Sequence, residues 1–220
     1  MLLLPRTLNR HQILFELLKH GTQEPIMKME RIVILVAALA LALSTNGFAQ
    51  EKTADKPQET TALKLANGKF VMQAPKSWKG VDPKSSMIEA EFSIPMADGD
   101  NAEKDGRLTI MAAGGGVEAN VTRWQGQFSQ PDGTSTKDKT TVEEIEVDGM
   151  KAHMVDIKGT YAERTRMTDP PTMQDDYRML AAIIETGGRE YFIKFYGGAK
   201  TVEANKKWFD QFIQSFAKNN

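Results

Sequence analysis

From about residue 60 onward, apolar and polar residues alternate along most of the chain, which is typical of β-strands with one buried face. Short Asn-Gly, Asp-Gly and Gly-Gly turns interrupt this alternation and favour hairpins. The predicted hairpins join Leu63–Leu65 to Phe70–Met72, Val142–Val147 to Met150–Ile157, and Tyr177–Glu185 to Tyr191–Tyr196. Two further strands are predicted at Met87–Ile94 and Leu108–Ala112.

Two segments carry apolar residues at the spacing of an amphipathic helix, Val117–Phe128 and Val202–Ala217. The second helix places large apolar residues on one face: Trp208, Phe209, Phe212, Ile213 and Phe216. Both alternating sets of residues are apolar in the strand Tyr177–Glu185, so we expect this strand to be covered on both faces. The sequence therefore predicts an α+β fold, an antiparallel sheet with helices on both faces in a three-layer α/β/α sandwich.

The N-terminal part has a different pattern, in which Lys28 and Arg31 precede an unbroken apolar run of twelve residues, Ile32–Leu43. Small residues then lead to Ala49, as in a secretory signal peptide that is cleaved there. A spanning helix needs about 18 apolar residues, so a retained anchor is only the alternative interpretation. The predicted organisation is a mis-assigned start or N-terminal extension at 1–26, a signal peptide at 27–49, a flexible linker at 50–60 and a single domain at 61–218.

Cleavage near Ala49 predicts a protein that is periplasmic or secreted and has no stable membrane insertion. The chain contains no cysteine and three histidines, of which only His153 follows the predicted signal. This composition excludes disulfides, a cysteine nucleophile and a lipid carried on cysteine. The net charge of −1 at pH 7 indicates no basic surface for nucleic acid.

The sequence shows no complete catalytic or metal-binding pattern. His153 lies in a predicted strand without a neighbouring nucleophile or orienting acid. The loop Asp98–Gly106 has acidic residues at alternate positions, but Ala102 and Glu103 stand where a calcium loop needs a ligand and a glycine. Gly114–Gly116 precedes a helix without the lysine or spaced glycines of a nucleotide-binding loop. We therefore predict no catalytic residue, no metal and no cofactor.

The predicted helix Val117–Phe128 contains the candidate binding residues Asn120, Arg123, Trp124 and Gln127. A guanidinium group flanked by two amides is suited to a carboxylate or a backbone edge. The alternative interpretation is that these residues tie the helix to the sheet or face water.

A resemblance to a known fold supports a binding role. A hairpin leading to Pro75-x-x-Trp78, meandering strands and a C-terminal helix that ends at Phe216 resemble the PsbP-like fold over Leu63–Phe216. This fold is shared by photosystem PsbP proteins and Ran-binding nuclear import factors. The spacing of the candidate binding residues is also similar to a pattern in exported bacterial proteins of uncharacterised function. The resemblance implies an adaptor, assembly factor or accessory subunit, and no residue specific for photosystem or Ran binding is matched.

The leading hypothesis is an exported, non-catalytic accessory or binding protein whose partner is another exported or envelope protein. Its predicted contact surface combines the candidate binding residues with the polar segment Tyr161–Asp176, interpreted as a long loop that is either functional or without order. The alternative is a small-ligand-binding protein or a hydrolytic enzyme with a carboxylate-based site at Asp156, Asp175 or Glu185. This alternative predicts a concave pocket with converging polar groups.

Overall fold

A computed structural model describes residues 58–164 and 168–219. The predicted N-terminal extension and signal peptide lie outside the described residues, as does most of the predicted linker at 50–60. In the part that the structure describes, no helix is long and apolar enough to cross a membrane.

The described residues form eleven strands and two α-helices. The strands are β1 Thr60–Leu65, β2 Phe70–Pro75, β3 Lys79–Val81, β4 Ala90–Ile94, β5 Gly106–Ala113, β6 Phe128–Ser129, β7 Thr141–Val147, β8 Met150–Glu163, β9 Thr172–Glu185, β10 Glu190–Gly198 and β11 Ala217–Lys218. The helices are α1 Val117–Gln125 and α2 Ala199–Gln214.

All of these strands pair antiparallel, and they form two sheets. The larger sheet has the order β3-β4-β5-β10-β9-β8-β6, with β7 paired to β8, and the smaller sheet has the order β1-β2-β11. The three predicted hairpins are present, and the α+β class is confirmed.

The apolar residues of the two central strands divide between two clusters, because successive side chains point to opposite faces of a sheet. On β9, Leu180, Ala182 and Ile184 pack with the apolar face of α2 and with the smaller sheet. Met179, Ala181 and Ile183 pack with α1 in the second cluster. Each large side chain that is fully buried in this way contributes about 1.5–3 kcal/mol. Both faces of this strand are therefore covered, as its apolar pattern predicts.

The prediction of a long loop at Tyr161–Asp176 is wrong, because strands β8 and β9 remain paired through most of this segment. Glu163 lies opposite Thr172, so only the short connection between them is a loop. Polar contacts hold this extension together, including the bond from the Thr160 hydroxyl to Asp175 at 2.7 Å. A strand stabilised by polar cross-strand pairs lacks the apolar alternation by which strands are recognised.

The helix boundaries also differ from prediction. Helix α1 ends at Gln125 rather than Phe128, because the chain turns at Gly126 and Phe128 pairs with Tyr161 as part of β6. Helix α2 begins at Ala199 and ends at Gln214, and the residues after it form β11 against β2. The predicted strand at Met87–Ile94 begins only at Ala90.

The acidic loop before β5 is attached to the first turn of α2 through Asp100. One oxygen of its carboxylate accepts hydrogen bonds from the backbone N–H and the hydroxyl of Thr201, both at 2.6 Å, and the other accepts one from the Ala102 N–H at 3.1 Å. Burial raises the pKa of Asp100, but these hydrogen bonds outweigh it and lower the pKa overall. Gly198 allows this approach, since a Cβ there would lie 2.1 Å from the Asp100 carboxylate.

We expect Asp100→Ala to lower the free energy of unfolding by about 1–2 kcal/mol, the usual cost of removing a helix cap. Because folding lowers the Asp100 pKa, the wild-type advantage is present at neutral pH and is lost as the pH falls through the pKa of the folded state. Urea unfolding at pH 7 and at a series of decreasing pH values below about 4 measures both effects. The control is Asp98→Ala in the same loop, and an equal loss in both variants would contradict this role of Asp100.

Candidate functional site

A concave pocket of about 230 Å³ lies on the α1 side of the larger sheet, between the helix and strands β5 and β10. Its walls combine apolar and cationic side chains. The lining residues are Ile88, Arg107, Thr109, Met111, Arg123, Trp124, Gln127, Phe192, Lys194 and Tyr196. Among the described residues that line this pocket, three are cationic and none is an aspartate or glutamate.

Lys194 is the most unusual of these residues because it is a charged side chain in the middle of the largely apolar central strand β10. Strand alternation places its side chain on the α1 side. Its Nζ donates a hydrogen bond to Gln127 Oε1 at 2.8 Å and lies 5.0 Å and 5.9 Å from the ring centroids of Tyr196 and Tyr161. These partners are all neutral, and within the described residues Lys194 forms no ion pair.

The electrostatic environment opposes a charge on Lys194. Burial, together with the nearby positive charges of Arg123 and Arg107, lowers the pKa of Lys194 to about 7. Arg107 has its own counter-ion, since Nε and Nη2 donate to the two carboxylate oxygens of Glu91 at 2.7 Å and 2.8 Å. Its Nη1 donates to the Tyr196 hydroxyl at 2.9 Å. The pocket therefore holds more positive charge than the nearby carboxylate balances.

Arg123 is exposed at the rim of the pocket, on the last turn of α1. Its Nη2 donates to the side-chain oxygen of Asn120, whose Nδ2 in turn donates to the Gly116 carbonyl at 2.7 Å. Asn120 is only 2% exposed and is not among the residues that line the pocket, so its contact with the pocket is through Arg123. Its role in binding stays a prediction.

Trp124 and Gln127 reach the pocket from different elements. Trp124 is buried, and its ring meets Phe192 edge to face with centroids 6.2 Å apart. Gln127 follows the helix, and its carbonyl oxygen accepts a hydrogen bond from the Ala162 N–H at 2.8 Å. The paired end of β8 therefore holds the backbone of Gln127, whose side chain accepts the hydrogen bond from Lys194.

The structure thus brings Arg123, Trp124 and Gln127 together at one pocket and adds Lys194 and Arg107, which the sequence did not single out. A signal for Lys194 exists in the sequence, since it is the only charged residue in the apolar run Tyr191–Tyr196. Cationic groups above an apolar floor are suited to a small organic anion.

The carboxylates of the alternative hypothesis are held apart by separate partners. Asp156 binds the buried Arg178, with Oδ1 and Oδ2 at 2.9 Å and 2.6 Å from its guanidinium. His153 Nε2 lies 2.8 Å from Glu185 Oε1, and the Thr160 hydroxyl donates to Asp175. Asp156 and Asp175 line two different pockets. Within the described residues, no group of three or more acidic residues or histidines is placed to hold a metal ion.

The described part of the chain is an α+β domain with a cationic pocket between one helix and its larger sheet. No protein-family model matches the chain, and no curated protein sequence matches it. Several solved structures match at low sequence identity. They include cyanobacterial PsbP from Synechocystis (12% identity, 75% of this chain and 95% of that chain, TM-score 0.45), the Ran-binding protein Mog1p of Saccharomyces cerevisiae (9%, 72% and 95%, 0.44) and LpqN of Mycobacterium tuberculosis (9%, 76% and 94%, 0.39).

A PsbP protein and a Ran-binding protein are the two kinds of protein that the predicted PsbP-like resemblance names, and both are among these matches. Their identities and TM-scores are too low for an argument about the pocket or the function. Function is therefore argued from the pocket itself.

Proposed function

We propose that this chain is an exported, non-catalytic binding protein that holds a small organic carboxylate in the pocket of Lys194, Arg123 and Arg107. The observation that carries the proposal is the unbalanced positive charge of this pocket, in which Arg107 has a carboxylate partner and the other two cations have neutral ones. The proposal joins the predicted binding role to the predicted small-ligand alternative. In this proposal the domain is a three-layer α/β/α sandwich, and the pocket lies under α1.

A bound carboxylate would supply the counter-ion that this pocket lacks. Arg123 is preorganised by Asn120 and reaches the rim, where its free guanidinium edge is available to an incoming anion. Charge-assisted hydrogen bonds of this kind are worth about 1.5–3 kcal/mol each. The anion also favours protonation of Lys194, because an opposite charge nearby raises the pKa of an ammonium group.

The apolar walls set the size and character of the ligand. Trp124, Phe192 and Met111 line one side of a space of about 230 Å³, which suits a compact anion with a short apolar body. The carboxylate could belong to a free small molecule or to the C-terminus of a peptide from another exported or envelope protein. Export itself, to the periplasm or outside the cell after cleavage near Ala49, rests on the signal-peptide pattern alone.

We expect wild-type protein to bind malonate, and Arg123→Gln to weaken this binding about tenfold, which corresponds to the loss of about 1.4 kcal/mol. Isothermal titration calorimetry at pH 7 and low ionic strength measures both affinities. Malonamide, which has the same shape without the charge, is the control ligand. Arg189→Gln, on the exposed turn between β9 and β10, is the control variant.

Equal affinities for malonate and malonamide, or a loss in Arg189→Gln as large as that in Arg123→Gln, would contradict the proposed site. A short peptide with a free C-terminal carboxylate and its amidated form distinguish the two sources of the ligand. Preference for the free peptide over malonate identifies a peptide C-terminus, and the reverse identifies a small molecule.

A further inference from the structure

In the described part of the chain, the neighbouring strands β9 and β10 carry a buried arginine and a half-buried lysine, and the partners of these two cations differ. Arg178 on β9 is 3% exposed, and it is neutralised by the carboxylates of Asp156 and Glu203. Lys194 on β10 has an amide oxygen and two aromatic rings as partners. The burial of Arg178 is accounted for by its ion pairs, because its charge is balanced. Ion pairing does not account for the position of Lys194, because its partners are neutral.

A lysine that served packing alone would be expected to extend its ammonium group to water or to a carboxylate. The Lys194 amine instead lines a pocket that it shares with the guanidinium groups of Arg107 and Arg123. Burial and neighbouring positive charge are the two conditions that keep a lysine amine unprotonated and nucleophilic. The pKa of Lys194, lowered to about 7, agrees with this arrangement.

We infer that Lys194 captures the carbonyl carbon of a small oxo acid as a reversible imine, while Arg123 holds the carboxylate of the same molecule. The inference rests on the proposed function, since it specifies the class of organic anion that the pocket binds. The oxo acid meant is a 2-oxo acid, in which the carbonyl carbon is directly attached to the carboxylate carbon. A carboxylate at the guanidinium of the rim therefore brings the carbonyl into the pocket that the amine lines.

The chemistry balances without any oxidant or further reactant. In the fraction of molecules in which Lys194 is unprotonated, the lone pair of Nζ attacks the carbonyl carbon, and the carbonyl π electrons move to oxygen, which takes up a proton as the nitrogen loses one. A bound carboxylate lowers this fraction, and the reaction draws on the remainder. The resulting carbinolamine loses its hydroxyl group as water, and the nitrogen lone pair forms the C=N bond. The Tyr196 hydroxyl, which accepts a hydrogen bond from Arg107, is the nearby group placed to donate a proton to the departing hydroxyl. The resulting tyrosinate then takes the N–H proton of the iminium, which leaves a neutral imine, water and tyrosine. Hydrolysis reverses each step and releases the ligand.

The experiment uses the full chain and the probe glyoxylate, with sodium cyanoborohydride to trap the imine as a stable secondary amine. Peptide mapping by mass spectrometry then locates the modified lysines. We expect Lys194 to be modified at least about tenfold faster than the exposed Lys64 and Lys158, because about half of its amine is unprotonated at pH 7 and Arg123 holds the carboxylate of the probe in the same pocket. Acetaldehyde, which has no carboxylate, is the control probe.

Two variants separate the two roles. Arg123→Gln is expected to slow the modification of Lys194 by glyoxylate about tenfold. It should slow the modification by acetaldehyde much less, since that reaction loses only the contribution of Arg123 to the lowered pKa of Lys194. Lys194→Met is expected to remove the rapidly formed adduct, and circular dichroism establishes that this variant is folded. The wild-type comparison of Lys194 with Lys64 and Lys158 needs no variant.

Modification of all lysines at similar rates would overturn the inference, and so would equal effects of Arg123→Gln on glyoxylate and acetaldehyde. Malonate has no reactive carbonyl, so its binding tests the proposed function alone. Binding of malonate without rapid trapping at Lys194 refutes the imine and leaves the anion site in place. Absence of both results refutes the anion site as well.

Discussion

Replacing Lys194 by methionine is expected to raise the free energy of unfolding by about 3 kcal/mol at pH 7 while it abolishes anion binding. Methionine is similar in length and fills the same space between the aromatic rings without a charge. The pKa of Lys194 falls from an ordinary 10.5 to about 7 on folding. A tenfold change in a protonation equilibrium is worth about 1.4 kcal/mol, so burial of this amine costs several kcal/mol, and the lost hydrogen bond to Gln127 offsets part of the gain.

The pH dependence follows from the sign of this pKa change. Between pH 7 and about 10.5 the unfolded chain binds a proton at Lys194 that the folded protein does not bind. Wild-type stability at this group therefore rises with pH across that window and is lowest below pH 7. The advantage of Lys194→Met should be largest below pH 7 and should shrink as the pH rises towards 10.5.

Urea unfolding at several pH values, paired with malonate calorimetry, tests this trade-off between stability and binding. Lys158→Met on β8 is the matched control, since Lys158 is exposed and its replacement should change stability by less than about 0.5 kcal/mol. A Lys194→Met variant that is less stable than wild type at pH 7 would show that the amine contributes favourably to the core. It would remove the physical reason for regarding Lys194 as a functional residue.

The sequence predicts the fold wherever a buried face requires apolar residues at the regular spacing of a strand or a helix. Both apolar faces of the strand around Leu180 and Met179 predicted cover on two sides, and the two packed clusters are observed. The end of α1 was not predictable in this way. Phe128 continues the apolar stripe of the helix, yet its pairing with Tyr161, which lies 33 residues later in the sequence, stops the helix at Gln125. The end of α1 is therefore set by strand pairing between distant residues, which the local sequence pattern does not reveal.

The same distinction applies to the candidate site. Arg123 and Gln127 were recognised because a helix spacing relates them. Lys194 and Arg107 required the register of β10 and β5, which pairs Lys194 with Thr109 and Tyr196 with Arg107. An isolated lysine in an apolar strand becomes meaningful only when its counter-ions can be examined in three dimensions. The carboxylate of Glu91, which neutralises Arg107 and not Lys194, is the decisive observation.

Gly159→Ala is expected to lower the free energy of unfolding by about 3 kcal/mol or more. Gly159 lies at the irregularity where the register between β8 and β9 shifts, with φ of +146°, a conformation that L side chains rarely adopt. A Cβ would also lie 2.5 Å from the Ser129 carbonyl oxygen and 2.8 Å from Gln130 Nε2. The backbone carbonyl cannot move away without breaking the β6–β8 pairing, so backbone strain and steric overlap add.

This substitution should also weaken anion binding, because the backbone beyond Gly159 supports the pocket. Tyr161 contributes a ring near the Lys194 amine, and the Ala162 N–H holds the backbone of Gln127. Thermal unfolding and malonate calorimetry measure the two effects, with Gly80→Ala as the control, since a Cβ at Gly80 meets nothing within 4 Å. A folded Gly159→Ala variant with unchanged malonate affinity would show that the irregularity is needed for the strand pairing and not for the pocket. Loss of both would place the support of Gln127 and Lys194 in the paired end of β8, far in sequence from either residue.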